Sequence, residues 1–384
     1  MRDAFIRRTN EFQRRMADKA ISAALLTDPD SIYYLAGYWG YLGVEFGRPT
    51  ALVVPREGPC TVVTPKMEAE MARRMTWIED VREWSDGATG EWAGVLADIL
   101  GRGKLPTLGI ERQQIPPAIS RFLAEECAAA KPVDVAGILG AMRMIKDPDE
   151  IAVMRQAGQV AVAMAEAAEA AIAEDVPEYE VALAVIGGGT RKAAEFLTED
   201  EADRFVSPTI HNLQILQSGH DTCMVHRRST VRRIRRGDPV YLCFCGIANF
   251  KQYKLGFDRE FFVGTVSGEQ ARIYEAALGA QAAALGVIRP GVIAEDVNAA
   301  AEEVYRSAGF EAGYRTGRAI GCSFLEQPEL KAGDKTVLQA GMTFAVDGGI
   351  TVPGEFGARV GDSIVVTESG YEDLTPYPKD LRVL

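Results

Sequence analysis

A cysteine, a histidine, an aspartate and an arginine offer the chemistry in this sequence. Cys245 ends the apolar run YLCFC. It could act as a nucleophile if a nearby cation lowers the pKa of its thiol, although a cysteine in such a strand is more often a small core residue. His226 lies in an arginine-rich segment that also fits a solvated basic loop, but imidazole titrates near neutral pH and could transfer protons. Asp347 and Arg318 could hold polar groups of a ligand. Hydrolysis of an amide or amidine requires such a nucleophile, proton carrier and charged partner.

Four ordered segments resemble one superfamily. Residues 317–328 read GRAIGCSFLEQP. This resembles the pattern G-H-x-x-G-x-x-x-H-E-x-P of the creatinase/aminopeptidase P/methionine aminopeptidase superfamily, with both histidines replaced, by Arg318 and Leu325. Residues 218–238 resemble its S-G to G-D segment with a substrate-facing histidine, here His226. Residues 341–347 and 359–367 resemble its G-M-x-x-x-x-E strand and its R-x-E-D-x-x-x-V-T strand.

The resemblance implies that most metal ligands of the superfamily are absent here. The corresponding positions are Cys245, Gly256, Arg318, Asp347 and Gly361. Counting forward from residues 237–238 would instead place Cys243 at the first metal-ligand position, but the interval to Tyr253 and Arg259 favours Cys245. A pair of divalent ions needs several carboxylates, whereas two of these positions have no side chain and a third adds a positive charge. We therefore expect a metal-independent site without a cofactor, at which Cys245 and Asp347 could at most hold one softer ion weakly.

Composition restricts the classes of partner. The chain has 384 residues, a length that predicts two domains. Its net charge of −12 argues against nucleic acid or an anionic membrane as partners. We find no apolar run long enough to span a bilayer and no signal-peptide core. The six cysteines lack metal-knuckle spacing and fit a reducing compartment. We expect a cytoplasmic protein.

The order of apolar runs predicts two domains of different class. Residues 1–140 alternate short apolar runs, at 23–26, 50–54, 60–63 and 108–110, with helical stretches around 67–75 and 92–100, which indicates an α/β domain. Asp147, Pro148 and Glu150 form a capping box that opens a long helix. Two more helices are predicted at 269–284 and 294–307. For residues 141–384 the resemblance implies an α+β domain with a curved antiparallel sheet, the pita-bread fold.

Two segments point to small-molecule enzymes within the superfamily. Residues 46–54, FGRPTALVV, resemble the creatinase segment F-G-R-P-x-A-L-V-V, in which the arginine holds the substrate carboxylate of a neighbouring subunit. The resemblance assigns that role to Arg48, with Phe46 among the aromatic residues beside the ligand. It also implies a homodimer in which each N-terminal domain closes the cleft of its neighbour. Residues 314–321, 335–344 and 249–253 look most like ectoine hydrolase, which like creatinase is a metal-free C–N hydrolase.

From this likeness we expect Cys245 to attack, His226 to move protons and Asp347 to orient the substrate nitrogen. Arg318, Asp258 and Glu326 are expected at the substrate. Arg318 could equally form a salt bridge with Glu326 or Asp347, and Asp258 could form one with Arg259.

The expected substrate is a small, carboxylate-bearing metabolite such as a cyclic amidine, a lactam or an N-acylated amino acid. The added arginine and lost acids argue against a cationic ligand such as creatine. Two other functions stay open, namely a ligand- or protein-binding pseudoenzyme and a lyase that acts on a small osmolyte.

Overall fold

The computed structural model describes residues 2–88, 90–101, 105–201, 203–210 and 215–384. The chain divides into two compact units, Met1–Met142 and Arg143–Leu384. No helix of the described residues combines the length and the apolar character that crossing a membrane requires.

The first unit is an α/β unit built on a mixed sheet. Its strands are β1 (Ala23–Leu26), β2 (Ala51–Pro55), β3 (Thr61–Pro65), β4 (Asp80–Trp84), β5 (Thr107–Ile110) and β6 (Lys131–Asp134). They follow the order β4-β3-β2-β1-β5-β6, with antiparallel pairs in the β1–β2–β3 meander and parallel pairs elsewhere. The helices are α1 (Arg2–Asp18), α2 (Pro29–Ala36), α3 (Tyr41–Phe46), α4 (Ala69–Met75), α5 (Glu91–Leu100), α6 (Pro117–Glu126) and α7 (Ala136–Arg143). The predicted strands and helices are confirmed.

The second unit opens with the predicted long helix. α8 (Pro148–Ala171) has Asp147 as its N-cap, and the side chains of Asp147 and Glu150 accept each other's backbone N–H in a capping box. The other helices are α9 (Glu178–Ala194), α10 (Gly268–Val287) and α11 (Ala294–Ser307). The last two correspond to the pair expected from the sequence.

An antiparallel sheet carries the second unit. Its strands are β7 (Ile215–Ser218), β8 (Pro239–Cys243), β11 (Asp258–Phe262), β12 (Gly317–Ala319), β13 (Glu326–Leu330), β14 (Thr343–Val352), β15 (Phe356–Val366) and β16 (Tyr371–Asp373). The order is β13-β12-β14-β15-β11-β8-β7, with β16 paired to β15. A small hairpin of β9 (Asn249–Phe250) and β10 (Tyr253–Lys254) lies between β8 and β11 in the chain.

Helix α10 packs closely against the sheet. A Cβ added at Gly348 of β14 would lie 2.2 Å from the carbonyl oxygen of Ala277 in α10. Only glycine allows this approach of helix and strand. The apolar side chains of α10, α11, β14 and β15 form one buried cluster beneath it. The sheet is therefore supported on one side by a rigid core, which fixes the strands that carry the polar residues described next.

Candidate active site

Strand pairing brings three reactive side chains into one row across the sheet. Asp258 pairs with Cys243 on one side and with Gly361 on the other, and Gly361 pairs with Asp347. Residues directly opposite each other in antiparallel strands project from the same face. Cys243, Asp258 and Asp347 therefore share a face, and Gly361 leaves a space between the two carboxylates. We call this space the Gly361 gap.

The two carboxylates converge on the Gly361 gap. A Cβ added at Gly361 would lie 2.8 Å from Asp258 Oδ2 and 2.8 Å from Asp347 Oδ1. Two atoms that are each 2.8 Å from one point are no more than twice that distance, 5.6 Å, apart. Asp347 Oδ1 is buried and has no hydrogen-bond partner among the residues that the structure describes. A single donor group bound over Gly361 can therefore bridge both oxygens.

Arg318 lies where the family pattern would place a metal ligand. It comes from β12 and is 5% exposed. Its Nη1 donates to Asp347 Oδ2, its Nη2 lies 3.2 Å from Cys245 Sγ, and its guanidinium stacks 4.5 Å above the ring of Phe324. The salt bridge to Asp347 is thus present. Arg318 also donates a hydrogen bond to Cys245 Sγ, so this cation is positioned to stabilise a thiolate.

Gly256 makes room for Arg318. A Cβ there would lie 2.5 Å from Ala345 Cβ and 3.2 Å from Arg318 Nη2. A side chain at this position would collide with the neighbouring strand and crowd the guanidinium. The absence of a side chain at residue 256 therefore leaves the space that the guanidinium of Arg318 occupies.

Cys245 and Cys243 differ in access. Cys245 is partly exposed just beyond β8, and its thiol donates to Asp258 Oδ1 at 3.5 Å. Cys243 is buried, and burial, followed by its contacts with Cys245 and Asp258, raises the pKa of its thiol well above the usual value. Of the two cysteines considered for the first metal-ligand position, Cys245 is the one that contacts Arg318.

Asp258 and Asp347 occupy different electrostatic environments. Asp258 is buried, and burial followed by the charge of Asp347 raises its pKa from 3.8 to about 6. Its position beside Cys243, Arg318 and Cys245 offsets only part of that effect. Asp347 is instead paired with Arg318. Two neighbouring carboxyl groups in unlike surroundings are typical of acid–base sites. Asp258 makes no ion pair with Arg259, which binds Asp362 at 2.6 Å.

Glu326 makes a buried ion pair with Lys146. Lys146 Nζ lies 2.7 Å from Glu326 Oε2, and the two side chains are 1% and 4% exposed. The other carboxylate oxygen accepts the backbone N–H of Ser323 at 3.0 Å. Glu326 thereby anchors the loop that follows Arg318 and its strand. A substrate contact from Glu326 stays a prediction.

His226 lies in an exposed turn after the 3₁₀ helix Gly219–Cys223. Within the described parts of the chain it makes no hydrogen bond or ion pair, and its role as proton carrier stays a prediction. The segment around it is firmly held, since Arg227 pairs with the buried Glu178 at 2.5 Å and Arg232 pairs with Asp238 at 2.6 Å. It is therefore not simply a solvated basic loop.

Arg48 and Phe46 belong to the first unit. Phe46 ends α3 and is 63% exposed, with its ring edge-on to Tyr41. Arg48 forms an ion pair with Asp86 and lines a cavity of about 270 Å³ together with Tyr38. A carboxylate that binds to Arg48 must therefore compete with Asp86.

The set of side chains does not fit a dinuclear metal centre. Two of the five expected ligand positions are glycines, at which a new side chain would collide with its neighbours, and Arg318 places a positive charge between Asp347 and Cys245. Sγ of Cys243 and of Cys245 and an oxygen of Asp258 lie within 4.8 Å of one another. Such a set could bind a soft ion only if both thiols lost their protons, which burial of Cys243 opposes, and the positive charge of Arg318 would repel the ion.

Two functional partners escaped sequence reasoning. Phe324 supports Arg318 through its ring, and its aromatic character within the motif could have suggested this. Lys146 binds Glu326 from 180 residues away, and no local signal indicates such a pair. His211 lies outside the described residues.

Comparisons with known proteins agree with this architecture. Residues 152–368 match metallopeptidase family M24, and residues 8–145 match the creatinase/prolidase N-terminal domain. An agropine synthesis cyclase of Rhizobium rhizogenes is 33% identical over 382 residues, covering 95% of this chain and 94% of the relative. A probable dipeptidase PepE of Mycobacterium bovis is 30% identical over 375 residues, covering 96% and 93%.

Among solved structures, the prolidase of Thermococcus sibiricus superimposes with a TM-score of 0.86 over 99% of both chains, at 24% identity, which supports the fold. The predicted superfamily and its two-domain, pita-bread architecture are confirmed. The chain belongs to metallopeptidase family M24, as an enzyme of the creatinase/prolidase group of hydrolases.

Proposed function

We propose that this protein is a metal-independent hydrolase of a C–N bond in a small, carboxylate-bearing metabolite, similar to ectoine hydrolase and creatinase. The bond belongs to an amidine, a cyclic amide or an amide. One observation carries the proposal: the guanidinium of Arg318 lies buried between Asp347 and Cys245, at a position where the family pattern has a metal-binding histidine.

Cys245 is the proposed nucleophile. Its sulfur is partly exposed, contacts Arg318 Nη2 at 3.2 Å and can attack an electrophilic carbon as a thiolate. Arg318 offsets the charge of that thiolate, and the unpartnered Oδ1 of Asp347 can accept an N–H of the substrate. The attacked carbon then forms a bond to sulfur, the C–N bond breaks, and water hydrolyses the covalent intermediate.

This scheme needs a group that takes the thiol proton and returns it to the leaving nitrogen. The resemblance to creatinase assigns that role to His226. Among the residues described, the exposed imidazole makes no hydrogen bond with Cys245.

Arg48 is proposed to bind the substrate carboxylate from a partner subunit. Three exposed apolar side chains of its segment, Tyr41, Val44 and Phe46, support an interface at this place. A homodimer in solution, measured by light scattering, would agree with the proposal, and a strict monomer would remove the carboxylate role of Arg48. The six free cysteines of the structure support a cytoplasmic location.

A turnover screen with and without chelator tests the central proposal. The panel contains ectoine, hydroxyectoine, creatine, hydantoins, N-carbamoyl and N-acyl amino acids, and Xaa-Pro dipeptides. We expect turnover of a non-peptide substrate that a chelator leaves unchanged. Activity confined to dipeptides and dependent on an added divalent ion would refute the proposal.

Covalent labelling tests the nucleophile. We expect iodoacetamide to modify Cys245, substrate to protect it, and Cys245→Ala to abolish turnover. The buried Cys243 is the internal control, because its thiol should react far more slowly. A fully active Cys245→Ala variant would exclude Cys245 as the nucleophile.

Ring closure is a second candidate, favoured by the similarity to an agropine synthesis cyclase. A covalent intermediate on Cys245 can be released by water or by a nucleophile within the same substrate, and the same side chains serve both outcomes. Reaction in ¹⁸O-labelled water separates the two, since hydrolysis incorporates the label and cyclisation or a lyase reaction does not. Substrate binding without turnover, unchanged in His226→Ala, would indicate a pseudoenzyme.

A further inference from the structure

Asp258 has the contact with Cys245 that a proton carrier needs. The thiol of Cys245 donates to Asp258 Oδ1 at 3.5 Å, and the other oxygen of Asp258, Oδ2, faces the Gly361 gap. The gap is also the place to which the unpartnered Oδ1 of Asp347 points. One carboxyl group thus lies between the proposed nucleophile and the proposed position of the substrate nitrogen.

We infer that Asp258, rather than His226, carries the proton from the thiol of Cys245 to the leaving nitrogen of the substrate. This inference rests on the proposed function and assigns a further catalytic residue to it. Asp347 then holds the same nitrogen from the opposite side of the Gly361 gap.

The proton balance of the reaction closes with Asp258 alone. In the first half, the S–H proton moves to the carboxylate of Asp258, the sulfur bonds to the substrate carbon, and the C–N bond breaks as the nitrogen takes the proton from Asp258. In the second half, water gives one proton to Asp258 as its oxygen attacks the carbon. The C–S bond then breaks, and the proton returns from Asp258 to the sulfur.

The geometry explains how one nitrogen reaches both carboxylates. Asp258 Oδ2 and Asp347 Oδ1 are at most 5.6 Å apart, twice the 2.8 Å that separates each from the Cβ position at Gly361. One nitrogen in the gap can therefore lie within hydrogen-bond distance of both. Arg318 binds the other oxygen of Asp347, so Oδ1 is left to accept from the nitrogen, while Asp258 exchanges its proton.

The surroundings of Asp258 give it a pKa suited to this task. Burial, followed by the charge of Asp347, raises the pKa of Asp258 to about 6. Five charged or titratable groups act on it: Tyr241, Cys243 and Cys245 from β8 and the residues after it, Arg318 from β12, and Asp347 from β14. Asp258 is then mostly ionised at pH 7, ready to accept a proton, and its acid form is weak enough to give the proton up.

Alkylation of Cys245 at neutral pH tests the inference without a substrate. If Asp258 takes the S–H proton as the sulfur attacks, the iodoacetamide rate at Cys245, followed by mass spectrometry at pH 7, should fall by at least about tenfold in Asp258→Asn. If Asp258 were only a negative charge beside the thiol, its removal would favour the thiolate and raise that rate.

Three further variants make the outcome specific. Asp258→Glu keeps a carboxyl group and should restore most of the alkylation rate, whereas His226→Ala should leave the rate unchanged. His220→Ala is the matched control for His226→Ala, since His220 is also exposed and, within the part of the chain that the structure describes, pairs only with Asp221.

The result also separates this inference from the proposed function. If the alkylation rate at pH 7 is unchanged or higher in Asp258→Asn, or falls in His226→Ala but not in His220→Ala, Asp258 is not the proton carrier. If Cys245 resists alkylation at every pH while the protein turns over substrate, the nucleophile assignment fails and this inference fails with it. Once a substrate is known, kcat of Asp258→Asn should fall by about 10² to 10⁴ with little change in KM.

Discussion

Replacing Asp258 by asparagine is expected to stabilise the protein at alkaline pH and to leave it unchanged in acid. Burial and Asp347 raise the pKa of Asp258 from 3.8 to about 6. The folded state therefore holds the proton more tightly than the unfolded state. Between these two pKa values the native protein binds more protons, so the contribution of Asp258 to stability falls as the pH rises through that window.

The magnitude follows from the size of the shift. One pKa unit corresponds to about 1.4 kcal/mol, so the ionised side chain costs about 3 kcal/mol at pH 8 and about 1 kcal/mol at pH 4.5. Asparagine removes the charge but weakens the hydrogen bond with Cys245, which costs about 1 kcal/mol. The net gain in the free energy of unfolding should be about 2 kcal/mol at pH 8 and close to zero at pH 4.5.

Urea unfolding at pH 4.5, 6 and 8, followed by far-UV circular dichroism, measures this difference. Tryptophan fluorescence is unsuitable, because all four tryptophans lie in the first unit. Glu178→Gln is the control with the opposite sign. Burial raises the pKa of Glu178, but hydrogen bonds from Arg227, Ser218 and Thr230 outweigh that effect and lower it. Loss of this carboxylate should therefore lower the free energy of unfolding at neutral pH, and the difference should shrink as the pH falls. The electrostatic argument would be refuted if Asp258→Asn did not raise the free energy of unfolding at pH 8, or raised it equally at all three pH values.

Three other changes have expected outcomes. Lys146→Met leaves Glu326 as an unpaired buried charge and should lower the free energy of unfolding by about 3 to 5 kcal/mol. The double variant Lys146→Met/Glu326→Gln should recover part of this loss. Equal losses in the single and the double variant would contradict the ion-pair argument. Gly361→Ala places a methyl group 2.8 Å from two carboxylate oxygens and should lower the free energy of unfolding by about 1 to 3 kcal/mol, measured by thermal unfolding. The same variant should lose most of its turnover in steady-state assays. Wild-type stability and turnover would show that the Gly361 gap is not used. Asp86→Ala should lower KM for the carboxylate substrate, because Asp86 competes with that substrate for Arg48. Arg48→Lys should raise KM about tenfold with little change in stability. Unchanged KM values in both variants would remove Arg48 from the substrate site.

Local features of the fold could be predicted from sequence with good detail. The capping box at Asp147 and the helix that begins at Pro148 depend on side chains within four residues of one another, so the sequence states them directly. The short strands of the first unit are apolar runs bounded by turns, and they appear where the pattern places them. The spacing of glycines and acids in four segments was enough to identify the superfamily.

The candidate site was only partly predictable. The sequence names Cys245, Arg318, Asp347 and Asp258, but the order of the strands decides which of them touch. Asp258 becomes the hydrogen-bond partner of Cys245 and faces Asp347 because β11 lies between β8 and β15. No spacing along the chain encodes the Lys146–Glu326 pair.

Through its resemblance to the superfamily, the sequence by itself predicted that the usual ligands of a dinuclear centre are replaced, because the identity of a side chain alone decides whether it can offer an anionic oxygen to a metal ion. Only the tertiary structure decided what stands in their place. Arg318 lies between Asp347 and Cys245, Gly256 gives it room, and Gly361 lets two carboxyl groups approach each other. Charges interact through space over a few ångströms, so the electrostatics of these groups depends on distances that arise only when the strands assemble.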